Sequence, residues 1–183
     1  ICIVFQHIYK DLQLNGMFMA IVNMVIFISF QTRRSEVDSL TFIGNRNSFF
    51  EELSLRIASR QYFQVVLVCL KQFSLVNEKF SYKKGDEFLY NIARELDHIL
   101  PGAKAFRFGN VEFAVLLPYA TEEESTGSLK RIQERFEERW ELGAVGSYIQ
   151  AYFTDVIYRG QEWNATQIIE YLESGIHYAK KEP

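Results

Sequence analysis

The run YFQVVLVCL, residues 62–70, constrains the fold more than any other stretch of this chain. It is continuous, aromatic and β-branched, without the alternation that marks a strand with one wet face. A run of that kind is a strand buried on both faces of a sheet. The flanking segments supply helices. Ser48-Phe49-Phe50-Glu51 has capping-box spacing, so a helix is expected from there to about Ser59. FSLVNEKF, residues 73–80, fits a short helix or turn. Gly85 and Asp86 then open a helix carrying Phe88, Leu89, Ile92, Ala93, Leu96 and Leu100 on a helical period, and Pro101-Gly102 stops it.

AKAFRF and EFAVLLP, residues 103–108 and 112–118, are two more strands, joined through Gly109-Asn110 as a tight hairpin. Thr121 to Glu124 forms another capping box. The helix it starts buries Leu129, Ile132, Phe136 and Trp140, and its acidic start suits the helix dipole. YIQAYFTDVIY, residues 148–158, is a strand with a partner around Val145. Thr166 caps a final helix to Lys181, a better use of Asn164-Ala165-Thr166 than a glycosylation acceptor. The order is helix, strand, two helices, hairpin, helix, strand, helix. That is an α/β or α+β domain on a mixed sheet with an antiparallel hairpin inside it.

The amino-terminal part is different. Leu14 to Phe30 contains no charged residue and is followed by Gln31-Thr32-Arg33-Arg34. A hydrophobic helix is expected there. It is at the short end for a bilayer span, with the arginines as a cytoplasmic flank. The other reading is a buried helix or a dimerising signalling helix. Residues 1–34 therefore form a hydrophobic segment with its flank, residues 35–183 form the domain, and the span places the domain in the cytoplasm. With no initiator methionine, the sequence is expected to be part of a longer chain.

Composition excludes several classes. The net charge is −3 with no basic stripe, so nucleic acid is not the partner. Cys2 and Cys69 are far apart and suit neither a disulfide framework nor a zinc site. His7, His98 and His177 share no ligand-like spacing.

Four stretches in register resemble one known family. DSLTFIGNR is similar to the motif DxLTGLxNR. The segment from Val65 to Leu100 is similar to a strand–FKxxND–GD–helix core. RFGNVEF is similar to RxGGDEF, and LESGIHYAK to ADxALYxAK. The family is GGDEF, the diguanylate cyclases, and the resemblance covers residues 38–181. It implies a palm-type sheet like that of nucleotidyl cyclases. It also implies synthesis of cyclic di-GMP from two GTP, one held by each half of a dimer, with divalent metal bridging the phosphates.

The departures from the family are spread over the domain and not confined to the hairpin. At the two metal-binding acids this chain has Cys69 and Val111. Asn110 replaces the second glycine of the signature, Lys71 a further acid, and Ser74 a phosphate-facing lysine. A thiol is a soft ligand and valine none, whereas magnesium takes hard oxygens. Asn77 and Asp86 match the positions that read guanine. Gly109 and Glu112 are kept, and Lys180 matches a phosphate-reaching lysine. Asn77 and Asp86 also suit helix caps, and Asp38, Asn45 and Arg46 suit structural bonds at the entrance to the domain. The product-inhibition motif is replaced by Leu100-Pro101-Gly102-Ala103.

The expectation is a degenerate, non-catalytic domain without a metal cofactor, binding GTP as a regulatory ligand and acting on a neighbour such as an EAL phosphodiesterase. Two alternatives stay open. One is an active cyclase with altered ligation, which alone would need magnesium. The other is a ligand-free dimerisation module.

Overall fold

The computed structural model describes residues 16–28, 36–119 and 121–181. The chain divides into two units, residues 1–36 and 37–183.

In the first unit, residues 16–28 are helical, and large apolar side chains such as Phe18, Ile21 and Phe27 are exposed. Thirteen helical residues extend about 20 Å, short of the roughly 30 Å of a hydrocarbon core. Among the described residues no helix is long and apolar enough to cross a membrane. The expected span from Leu14 to Phe30 runs past them at both ends.

The second unit is built on a five-stranded sheet. Its strands are β1 (Gly44–Asn45), β2 (Phe63–Leu70), β3 (Lys104–Gly109), β4 (Glu112–Pro118) and β7 (Ala151–Tyr158), in spatial order β1-β3-β4-β2-β7. β1 runs parallel to β3 and every other pairing is antiparallel. All eight residues of β2 are buried, as its unbroken apolar run requires. Its side chains alternate between two cores. Val66, Val68 and Leu70 face one, built with α2 (Phe73–Phe80), α3 (Tyr82–His98) and α4 (Glu122–Glu137). Phe63, Val65, Leu67 and Cys69 face the other, built with α1 (Arg46–Ala58) and α5 (Ala165–Ala179).

Several local expectations move. The cap of α1 is Asn45 and not Ser48: its Oδ1 accepts from the amides of Asn47 and Ser48 at 2.9 and 3.1 Å. Asparagine in extended backbone is an equally good cap, and it starts the helix earlier. Asn164, not Thr166, caps α5, in a reciprocal capping box with Gln167. Thr121 caps α4 as expected. Trp140 is buried but lies on β5 (Arg139–Leu142), which pairs with β6 (Val145–Tyr148) in a separate ribbon. The strand at Val145 thus partners β5 and not β7. Spacing of three and four mimicked one more helical turn, but α4 ends at Glu137.

The hairpin turn also shifts. Gly109 pairs with Glu112, leaving Asn110-Val111 as the turn, with a bulge between Arg107 and Gly109. None of Gly109, Asn110 and Val111 has positive φ. The bulge and the Arg107 side chain, which donates to the carbonyls of Gly109 and Asn110, shape the turn in place of left-handed residues.

Candidate nucleotide site

The hairpin tip, the end of β2 and the start of α3 carry most of the residues singled out by sequence. They form two groups.

The first is a cleft of about 560 Å³ lined by Asp38, Leu40, Asn45, Arg46, Asn47, Asp86, Leu89, Arg107, Gly109 and Asn110. Asp38 holds the bend into the domain, its Oδ1 accepting from the Thr41 amide at 2.8 Å and hydroxyl at 2.6 Å. Pairing of β1 with β3 sets Asn45 opposite Arg107. Asp86 is the fifth residue of α3, exposed and not a cap, because the helix already begins at Tyr82. Leu40 and Leu89 give the cleft apolar wall. Burial pushes the Arg107 guanidinium below the ordinary arginine value, while the Asp38 and Asp86 carboxylates pull it back up. It remains a cation.

Asn77 is outside that lining. Its amide lies over Gly85, where an added Cβ would meet Asn77 Oδ1 at 1.8 Å. Only glycine permits this approach. It puts the half-buried Asn77 one residue from Asp86, the other guanine-matching position.

The second group is Cys69, Glu112 and Lys180. Antiparallel pairing sets Cys69 directly opposite Glu112. From the end of α5, Lys180 Nζ lies 3.4 Å from Glu112 Oε1. Burial pushes the Cys69 thiol above its ordinary value, against the pull of Lys180, so it is uncharged at neutral pH. Burial alone would lower the Lys180 ammonium, but Cys69 and Glu112 hold it above the ordinary lysine value. The Val111 carbonyl accepts from the Leu70 amide at 2.9 Å, and its side chain packs against both cores.

Magnesium needs several oxygen ligands, usually carboxylates. This donor set holds a neutral thiol, a valine, and one carboxylate already paired with a lysine. Among the described residues no three His, Cys, Asp or Glu side chains converge to hold a metal ion. The residues do not fit a magnesium ion.

Sequence reasoning left Arg107 and Leu89 out of the site and gave Asp38 and Arg46 only a structural role. Arg107 stands in the same hairpin motif as Gly109, which was the available signal. Its part in the cleft depends on the bulge and on β1, neither of which has a periodic signature.

The mixed sheet carries a central antiparallel hairpin, with the cleft at that hairpin's tip, an α/β fold of the kind GGDEF domains share. The family model described as diguanylate cyclase, GGDEF domain, matches residues 35–183, and the chain belongs to that family. It is 27% identical over 120 residues to diguanylate cyclase DgcP of Escherichia coli strain K12, covering 63% of this chain and 35% of DgcP. It is 33% identical over 103 residues to the probable diguanylate cyclase DgcT of the same strain, covering 55% and 23%. The matched segments thus span 35% or less of those relatives' length.

Solved structures share the fold. The GGDEF domain of PA1120 (TpbB or YfiN) from Pseudomonas aeruginosa matches with a TM-score of 0.72 at 23% identity, covering 80% of this chain and 90% of that one. The coiled coil and GGDEF domain of DgcB from Caulobacter crescentus, solved with c-di-GMP, matches with a TM-score of 0.71 at 17% identity, covering 93% and 94%.

Proposed function

We propose that this GGDEF domain binds a guanine nucleotide without converting it, and that it serves cyclic di-GMP signalling as a regulatory module. The observation that carries the reading is the Cys69, Glu112 and Lys180 group. Where the family resemblance expects two carboxylates to gather metal against the phosphates, a neutral thiol and a valine stand instead, beside the kept Glu112 and its ion pair with Lys180. Lys180 is the cation of this group, and a phosphate there would compete with Glu112 for it without calling for added metal. Asp86 presents an exposed carboxylate to the cleft and suits the N–H edge of guanine. Regulation of a neighbouring domain, an EAL phosphodiesterase among the choices, and a homodimer are parts of the same proposal, supported by family membership. Membrane linkage with the domain in the cytoplasm is supported by the uncharged run from Leu14 to Phe30 and by Arg33 and Arg34.

Calorimetric titration with GTP tests it. The dissociation constant is expected to agree within about twofold in EDTA and in magnesium. Asp86→Ala is expected to abolish binding while changing stability by no more than about 0.5 kcal/mol, because Asp86 caps nothing. Binding that requires magnesium favours the active cyclase with altered ligation. Absence of binding in both buffers favours the ligand-free dimerisation module.

A further inference from the structure

The sheet ends on an open edge. β7 is the last strand in the spatial order, with β2 on one side and, among the described residues, no strand on the other. Such an edge is a template for another strand unless lysine, proline or a bulge blunts it. β7 has none of these. Its one charged residue, Asp155, accepts from Gln64 Nε2 at 3.0 Å, and its register with β2 is unbroken over all eight residues. The direction of its main-chain groups follows from its neighbour. The Gln150 carbonyl accepts from the Lys71 amide at 2.7 Å and so points towards β2. Alternation then turns the main-chain groups of Tyr152, Thr154 and Val156 towards β2, and those of Phe153 and Asp155 outwards. The Ile157 carbonyl, outward by the same rule, is met by Gln161 Nε2 at 3.2 Å.

The helix above this edge narrows the partner. In α5, Gly175 lies on Thr154, where an added Cβ would run into the threonine hydroxyl. Glu173 reaches the other way, to Arg46 of α1 at 2.6 Å. A rotation of about 100° per residue then sets Tyr171 and Tyr178 on the flank away from α1, beside the open edge. They are 52% and 64% exposed and stand about one turn on either side of Gly175. The outward main-chain groups of β7 are likewise disposed on either side of Thr154. Strand and helix thus share one point of symmetry.

We infer that a second copy of this chain pairs with β7, antiparallel and centred on Thr154, so that the two five-stranded sheets join across a two-fold axis. In that register Phe153 and Asp155 exchange main-chain bonds with Asp155 and Phe153 of the second copy. Thr154 meets its own counterpart and Tyr152 meets Val156, both favourable cross-strand pairs. Above the seam α5 runs antiparallel to its counterpart, and Tyr171 packs against Tyr178 of the second copy. Glu170 in the first half of α5 and Lys181 just past its end then bring acid beside base across the axis. A single added strand would leave the two tyrosines uncovered, whereas a second copy brings its own helix to them. The inference rests on the homodimer of the functional reading above and gives that dimer its surface.

The test is sedimentation equilibrium with amide hydrogen exchange, on the full chain in mild detergent. A dimer is expected. As it forms, exchange at the Phe153 and Asp155 amides is expected to slow by at least about tenfold, while the Thr154 amide, bonded to β2, is slow throughout. Tyr171→Glu with Tyr178→Glu is expected to weaken the dimer at least about tenfold. Tyr171→Lys with Tyr178→Glu is expected to restore most of it, because the register opposes those two positions. A dimer whose Phe153 and Asp155 amides exchange as fast as in the monomer overturns the inference and leaves the homodimer standing. Slow exchange at those amides in a monomer also overturns it, since another segment then covers the edge. A monomer at every concentration overturns the homodimer and this surface together. The exchange is read on the natural sequence, so it decides even if a variant fails to fold.

Discussion

Cys69→Asp is expected to destabilise the metal-free protein by about 3 kcal/mol at neutral pH. Cys69 is 1% exposed, faces the core under α1 and α5, and stands opposite Glu112 on one side and Tyr152 on the other. A new carboxylate there must ionise beside Glu112, and the nearby ammonium, Lys180, is already paired with Glu112. Burial already pushes the native thiol up, and it acts on a carboxyl in the same sense. The sign follows from that direction. A carboxyl whose folded value is raised costs nothing below its unfolded value, near pH 4, and its cost grows as the pH rises towards the folded value. Urea unfolding in EDTA, measured against the natural sequence at each pH, should show a deficit at pH 7 that shrinks towards pH 4. A deficit independent of pH would mean that the lost volume or shape, not the charge, is responsible. Adding Val111→Asp supplies the second acid. If the two acids alone separate this site from a metal site, that double variant regains stability when magnesium is added.

Phe106→Ala is expected to cost about 4 kcal/mol, a large part of the 5–15 kcal/mol typical of a domain. Phe106 is fully buried and its ring packs 5.4 Å from that of Phe49. It also fills the space beside Gly44, where an added Cβ would come within 2.6 Å of the ring. Gly44→Ala should therefore cost about 1–3 kcal/mol in the natural sequence and much less once Phe106 is alanine. A double-mutant cycle on urea midpoints is expected to give a coupling of about 1 kcal/mol or more. Strict additivity would show that the ring does not set the approach of β1 to β3. That approach matters to the site, because the same pairing brings Asn45 opposite Arg107 at the cleft.

Much of this fold is legible in the sequence, for identifiable reasons. β2 announces itself because both of its faces are buried, so no polar residue interrupts the run except Gln64, which is buried and donates to the Ser125 carbonyl and the Asp155 carboxylate. The α3 helix is legible because Phe88, Leu89, Ile92, Ala93 and Leu96 form one buried stripe. Helix starts are less so. Asn45 and Ser48 are both competent caps, and local spacing cannot choose between them when the choice depends on where β1 ends. Trp140 obeys the helical period of α4 and yet belongs to the ribbon, because burial against Phe136 is available to it from either conformation.

At the site, the reading of Cys69 and Val111 as standing in for acids comes from the resemblance to the family's motifs, quoted from the sequence. The opposition of Cys69 and Glu112, the arrival of Lys180 from the far end of the domain and the bonds from Arg107 to the turn are products of strand register and a bulge. No short motif encodes those.

The central claim is a retained fold and guanine pocket with a lost reaction. Its most direct test is to incubate the full chain with GTP and magnesium, at protein concentrations high enough to favour dimers, and to measure cyclic di-GMP by chromatography. No product above the protein-free control is expected. Accumulation of cyclic di-GMP that depends on magnesium and on the protein would contradict the claim and assign the metal to ligands other than those at Cys69 and Val111.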